Sequence, residues 1–167
     1  DELARVTRPG GAGIFNLDRL GECWLHLTNR CNASCGHCMF ACSPDTGEQM
    51  DLDLARSVLD EALSLGCRLF YFTGGEPTLH PAFAELCERV LAADDAHVVV
   101  LSNALTAAEL VRKIGSWPTG RVHFQVSVDG DEAAHDALRG AGSYQCMIHD
   151  VQRLRDAGFP PCLAMTV

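Results

Sequence analysis

Hydrophobic and polar positions fall into a repeating sequence of short strand-like and longer helix-like segments. From Glu22 to Thr28 the run Cys23, Trp24, Leu25, His26, Leu27 partly alternates and predicts a first strand. Asp51 then stands as an N-cap before Leu52, Ala55, Leu59, Ala62 and Leu63, whose three-and-four spacing predicts an amphipathic helix ending near Gly66. Arg68 to Thr73 is almost continuously apolar and aromatic and predicts a parallel strand covered on both faces. A second helix is expected with Pro81 at its first position and Phe83, Leu86, Cys87, Val90 and Leu91 on one face. His97 to Leu101 reads as the third strand, and Thr106 with Glu109 as a capping box opening the third helix. Arg121 to Val128 is the fourth strand. Residues 131–142 read as a loop with a short helical piece, after which Ser143 caps a helix carrying Met147, Val151 and Leu154 toward Gly158. Cys162 to Val167 is the fifth strand.

Strands separated by helices mean an α/β fold with a parallel sheet, and right-handed crossovers allow a barrel or an open sheet. In both, ligands gather at the C-terminal ends of the strands. Residues 1–21, with Pro9, Gly10, Gly11, Gly13 and Gly21, form an irregular lead-in, and 22–167 the core. The 167 residues, 47% apolar, suffice for one sizeable core. No apolar run is long enough to span a membrane and no secretory signal opens the chain, so a cytoplasmic protein is expected. A net charge of -9 argues against nucleic acid as a partner and leaves peptides, proteins or small molecules. The nine cysteines without a secretory signal point to a reducing compartment.

Three of those cysteines, Cys31, Cys35 and Cys38, follow the first strand at C-x3-C-x2-C spacing. Gly36 and the small or turn-prone Asn32, Ala33 and Ser34 let the loop wrap a metal. Structural zinc, a redox pair and an iron-sulfur cluster all remain open on spacing alone. Cys42 is the nearest fourth thiol. The second strand ends in Thr73-Gly74-Gly75-Glu76-Pro77, where two glycines expose backbone and Glu76 adds a carboxylate able to hold an ammonium group. The third ends in Ser102-Asn103 and the fourth in Ser127-Val128-Asp129-Gly130, with Arg139 just beyond. Each alone has an ordinary explanation as a turn, a helix start or a surface charge. Their place at successive strand ends does not.

The cysteine triplet, the Gly74-Gly75-Glu76-Pro77 run and the strand order resemble the radical S-adenosylmethionine (SAM) enzymes over residues 22–167. That resemblance implies a partial (β/α)6 TIM-like barrel, here truncated after the fifth strand, so that the chain is a piece of a longer protein. It implies that Cys31, Cys35 and Cys38 bind a [4Fe-4S] cluster whose open iron is chelated by SAM. Gly74, Gly75 and Glu76 would receive the methionine amino group, Asn103 and Ser127 the ribose or carboxylate, and Arg139 the carboxylate. His37 would stack near the adenine. Backbone groups around Ser34, Gly36 and Met39 would donate to the cluster sulfurs. The implied reaction is reductive cleavage of SAM to a 5'-deoxyadenosyl radical that abstracts hydrogen, with electrons from a low-potential donor. The Ser127–Gly130 run, His135-Asp136 and Gly142-Ser143-Tyr144 resemble the branch that modifies peptides, proteins or tetrapyrroles. Two other readings of the residues remain: a zinc module using Cys31, Cys35, Cys38 and Cys42, and a phosphate-binding barrel with its glycine turns as anion nests.

Overall fold

The computed structural model describes residues 18–165. Five strands, β1 (Cys23–His26), β2 (Leu69–Thr73), β3 (His97–Ser102), β4 (Val122–Ser127) and β5 (Cys162–Ala164), form one open parallel sheet in the order β1-β2-β3-β4-β5. The helices between them are α1 (Leu52–Ser64), α2 (Phe83–Leu91), α3 (Ala107–Ile114), α4 (Glu132–Arg139) and α5 (Ser143–Asp156). Sequential order follows from crossovers that each advance one strand in the same sense.

Burial alternates along every long strand. Leu25, Phe70, Phe72, Val98, Val100, Phe124 and Val126 turn to one face and are sealed against the helices, whose buried stripes include Ala55, Leu59 and Ala62 of α1 and Phe83, Leu86, Cys87 and Val90 of α2. The other face is open. Trp24 lies 53% exposed there, stacked on its register partner Tyr71 with ring centroids 3.9 Å apart. The second strand is therefore covered by helices on one face only, against the sequence expectation: its outward Tyr71 finds an aromatic partner in the sheet instead of a helix.

Helix ends show where local signals held. Asp51 caps α1, its carboxylate accepting from Asp53 N at 3.0 Å and Leu54 N at 3.1 Å. Pro81, by contrast, precedes α2, with Ala82 as the N-cap, because a 3-10 turn over Pro77–Leu79 and the Phe83 N–H to His80 carbonyl bond come first. The Thr106 capping box does not form, and the Thr106 hydroxyl pairs with Thr78 Oγ1 at 2.8 Å. Residues 131–142 hold a full helix, α4, capped by Asp131. Ser143 is the first residue of α5 and not its cap: Gly142, at φ +79°, is the N-cap. The capping acceptor comes from α4, where Asp136 receives Gly142 N at 2.6 Å and Tyr144 N at 2.8 Å. These bonds to the ionised form hold the Asp136 carboxyl below its usual range. β5 is shorter than expected. Residues 166–167, and positions 1–17 of the lead-in, lie outside the described residues.

Candidate functional site

The C-terminal ends of β1 to β4 converge on a cavity of about 190 Å³. Cys31, Cys35, Cys38, His37, Gly74, Gly75, Asn103, Ser127 and Arg139 all line it, as does Cys42. Of the residues the resemblance assigned to the cluster or to SAM itself, only Glu76 is not among those lining it.

The cysteine loop is pinned before it reaches the cavity. Cys31 N–H donates to the Ser43 carbonyl at 3.0 Å, and the Thr46 hydroxyl donates to the Ser43 carbonyl at 2.8 Å and to the Asn29 carbonyl. Gly36 N–H donates to the Leu138 carbonyl at 3.1 Å, which ties the loop to the end of α4. That amide is therefore not available to a sulfur, contrary to the sequence expectation. The sulfur donors are others: Cys42 N–H to Cys38 Sγ at 3.3 Å and Asn103 Nδ2 to Cys31 Sγ at 3.6 Å. All nine cysteines are free thiols. Burial raises the thiol pKa of Cys31 and of Cys35, opposed at Cys31 by the Ala33 amide and at Cys35 by Arg139. Cys42 is pushed up to about 11 by burial and by the neighbouring Cys38.

Gly74 and Gly75 are required by a close crossing of backbones. A Cβ on Gly74, which also sits at φ +147°, would run into Thr28, and one on Gly75 would lie 2.5 Å from the Arg30 carbonyl oxygen. The crossing is sewn by Gly75 N–H to Thr28 O at 2.7 Å and Glu76 N–H to Arg30 O at 3.0 Å. With those amides committed, this turn is no anion nest, which removes the phosphate reading of these glycines. Gly74 and Gly75 themselves line the cavity, with no side chain between their backbone and its space.

Glu76 is fully buried and is not among the residues lining the cavity. Its carboxylate accepts from Thr78 Oγ1 at 2.6 Å, Ser102 Oγ at 3.0 Å and Asn103 N at 2.9 Å. Burial raises its pKa, and these bonds oppose the rise. It fastens the ends of β2 and β3 together. Asn103, held from below by Glu76, reaches across to Asn32 Oδ1 at 2.7 Å as well as to Cys31. Ala104, next along, sits in the left-handed region at φ +63°, a conformation that favours glycine.

Arg139 and His37 meet at Asp129, which the sequence places among the polar groups at the strand ends without assigning it a partner. Asp129 Oδ2 accepts from Arg139 Nε at 2.5 Å and lies 3.4 Å from His37 Nε2. A buried acid between two basic candidates from distant segments has no local sequence signal. Ser127 contributes from the end of β4, in register with Ala164 of β5.

The donor set suits a soft, polynuclear centre: three thiols from one loop, two of them receiving N–H donors, in a cavity whose lining carries no carboxylate and one cation, Arg139. Among the described residues no three His, Cys, Asp or Glu groups converge as a single ion would need. No helix among them is long and apolar enough to cross a membrane.

Comparison with known proteins agrees with this geometry. The chain is 31% identical over 151 residues to the sporulation killing factor maturation protein SkfB of Bacillus subtilis, covering 87% of this chain and 35% of that protein. It is 31% identical over 144 residues to the AdoMet-dependent heme synthase of Methanosarcina barkeri, covering 84% and 41%. The chain thus spans well under half the length of these curated relatives. The crystal structure of Streptococcus suis SuiB bound to S-adenosylmethionine superposes with a TM-score of 0.72 at 16% identity, over 87% of this chain and 34% of that one. The fold is shared by part of a larger molecule. The family description "Radical SAM superfamily" matches residues 25–167, from the middle of β1 to the last residue, and the chain belongs to that superfamily.

Proposed function

We propose that this chain is the core of a radical SAM enzyme in which Cys31, Cys35 and Cys38 hold a [4Fe-4S] cluster and the rest of the cavity holds SAM. Bound and reduced, the cluster would supply the electron that splits a carbon-sulfur bond of SAM and so starts hydrogen abstraction from a substrate. The observation that carries the reading is the meeting, in one cavity at the strand ends, of three thiols, the two glycines of the β2 turn and an arginine. The carbonyls of Gly74 and Gly75 accept from the methionine ammonium, and Arg139 pairs with the carboxylate. Asn103 and Ser127 reach the ribose or carboxylate, and His37 lies along the adenine side. Glu76 acts behind this surface, by setting Asn103 and the glycine turn. Residues 22–167 make up this core.

The substrate class is a peptide, a protein or a tetrapyrrole, with a low-potential electron donor as second partner. Supporting this are relatives named as a maturation protein and a heme synthase, and anSMEcpe, a fold neighbour seen with AdoMet and a peptide (TM-score 0.63, 17% identity). A second reading draws on Cys42, buried in the same cavity wall: a four-thiolate zinc site without catalysis, which would require the four thiols to draw together, since no three such groups converge on one point among the described residues.

One experiment separates them. Protein reconstituted anaerobically with iron and sulfide, then reduced, is expected to give a cluster signal in electron paramagnetic resonance that shifts when SAM is added. Alanine at Cys31, Cys35 or Cys38 should abolish the signal. A colourless protein that takes up zinc tightly and no cluster would overturn the radical SAM reading in favour of the zinc site.

A further inference from the structure

Asp129 stands behind the cofactor wall, with its side chain 6% exposed against 14% for Arg139. Only Nε of Arg139 is engaged by its carboxylate. A guanidinium carries five N–H donors in one plane, and the Nη1 and Nη2 groups of Arg139 have no partner among the described residues, while the residue lines the cavity. The free edge is the one that receives a carboxylate two-pronged. Asp129 is itself fixed from behind: its N–H donates to Nδ1 of buried His135 at 3.3 Å. The same Asp129 oxygen faces His37 of the cysteine loop, so the orientation of Arg139 is referenced to the wall that carries the thiols.

We propose that Asp129 is a positioning residue for the SAM carboxylate: it takes the Nε edge of Arg139 and thereby presents the Nη edge to the ligand. The inference rests on the cavity being the SAM site. Position and charge make opposite demands here. A second carboxylate near that of SAM weakens the attraction of Arg139 for it, so the residue is useful only for where it holds the guanidinium.

The test is SAM affinity, measured anaerobically by calorimetry on cluster-loaded protein, with decarboxylated SAM as the second probe. Asp129→Asn keeps an oxygen for Nε and removes the charge. It is expected to bind SAM at least as tightly as wild type. Asp129→Ala should bind about tenfold more weakly, within the usual range for a lost charge-assisted contact. Asp129→Ser, too short to reach Nε, should match alanine and serves where the alanine variant fails to load a cluster. Affinity for decarboxylated SAM should be unchanged in all three. In an Arg139→Ala background, Asp129→Ala should cost nothing further. Unchanged SAM binding in the alanine and serine variants, or equal weakening by asparagine and alanine, would overturn the positioning role while leaving the SAM site intact. Wild-type protein that loads a cluster but binds no SAM would instead overturn the site reading and the inference with it.

Discussion

Glu76 shows how the same residue can matter for a different reason than its motif suggests. In the sequence it reads as an ammonium ligand, but in the fold its oxygens are taken by Thr78, Ser102 and Asn103. Glu76→Gln places an amide donor among donors and leaves one of them without an acceptor, a loss of about 1–3 kcal/mol. Thermal melts of the variant should record it. Because Asn103 is anchored on Glu76 and touches Cys31, the variant should also load its cluster poorly. Normal cluster loading with weak SAM binding would instead restore the direct ligand role. The glycine pair beside it was legible as a backbone requirement, but not its cause: the crossing with Thr28 and Arg30 joins segments far apart in sequence.

At the level of elements, periodic apolar spacing located all five strands and most helices, since β1 to β4 and α1, α2 and α5 each bury a regular stripe. α4 was underestimated for a physical reason. It buries only His135, so its pattern is that of a polar loop, and its role is to present Arg139 and the Leu138 carbonyl. Helix ends were read least well, because their caps are tertiary. Asp136 caps α5 from a neighbouring helix. Arg121 closes α2 from the start of β4, donating to the carbonyls of Ala93 at 2.7 Å and of Leu91 and Ala96 at 3.2 Å. Arg121→Ala removes charged donors from several buried carbonyls, and unfolding in urea should show a loss of about 2 kcal/mol.

Across the whole molecule the sheet has two unlike edges and one open face. β5 carries Leu163 at 58% exposure, Met165 follows it at 56%, and among the described residues no strand pairs with its outer edge, the kind of edge that pairs with another chain. This 167-residue chain is expected to self-associate in light scattering, and Leu163→Lys with Met165→Lys to return it to a monomer. Stability should also depend on pH. Burial lowers the pKa of His135 and of His123, with Arg139 and His97 adding to the effect. The unfolded chain therefore binds more protons below about pH 6.5, so stability is complete above that value and declines as pH falls toward the lowered folded-state values. Melting temperatures across this range should fall on the acid side, and His135→Gln should flatten the profile.

The bond from Gly36 to Leu138 has a consequence for how the protein is made. A ribosome releases the three cysteines long before the chain that anchors their loop has been synthesised. Until β4 and α4 close onto the sheet, the thiols belong to a tethered loop without its far wall, open to stray metals and oxidants. On the proposed reading, cluster insertion would follow the closure of β4 and α4 onto the sheet, and chains translated faster than they fold would carry the wrong metal.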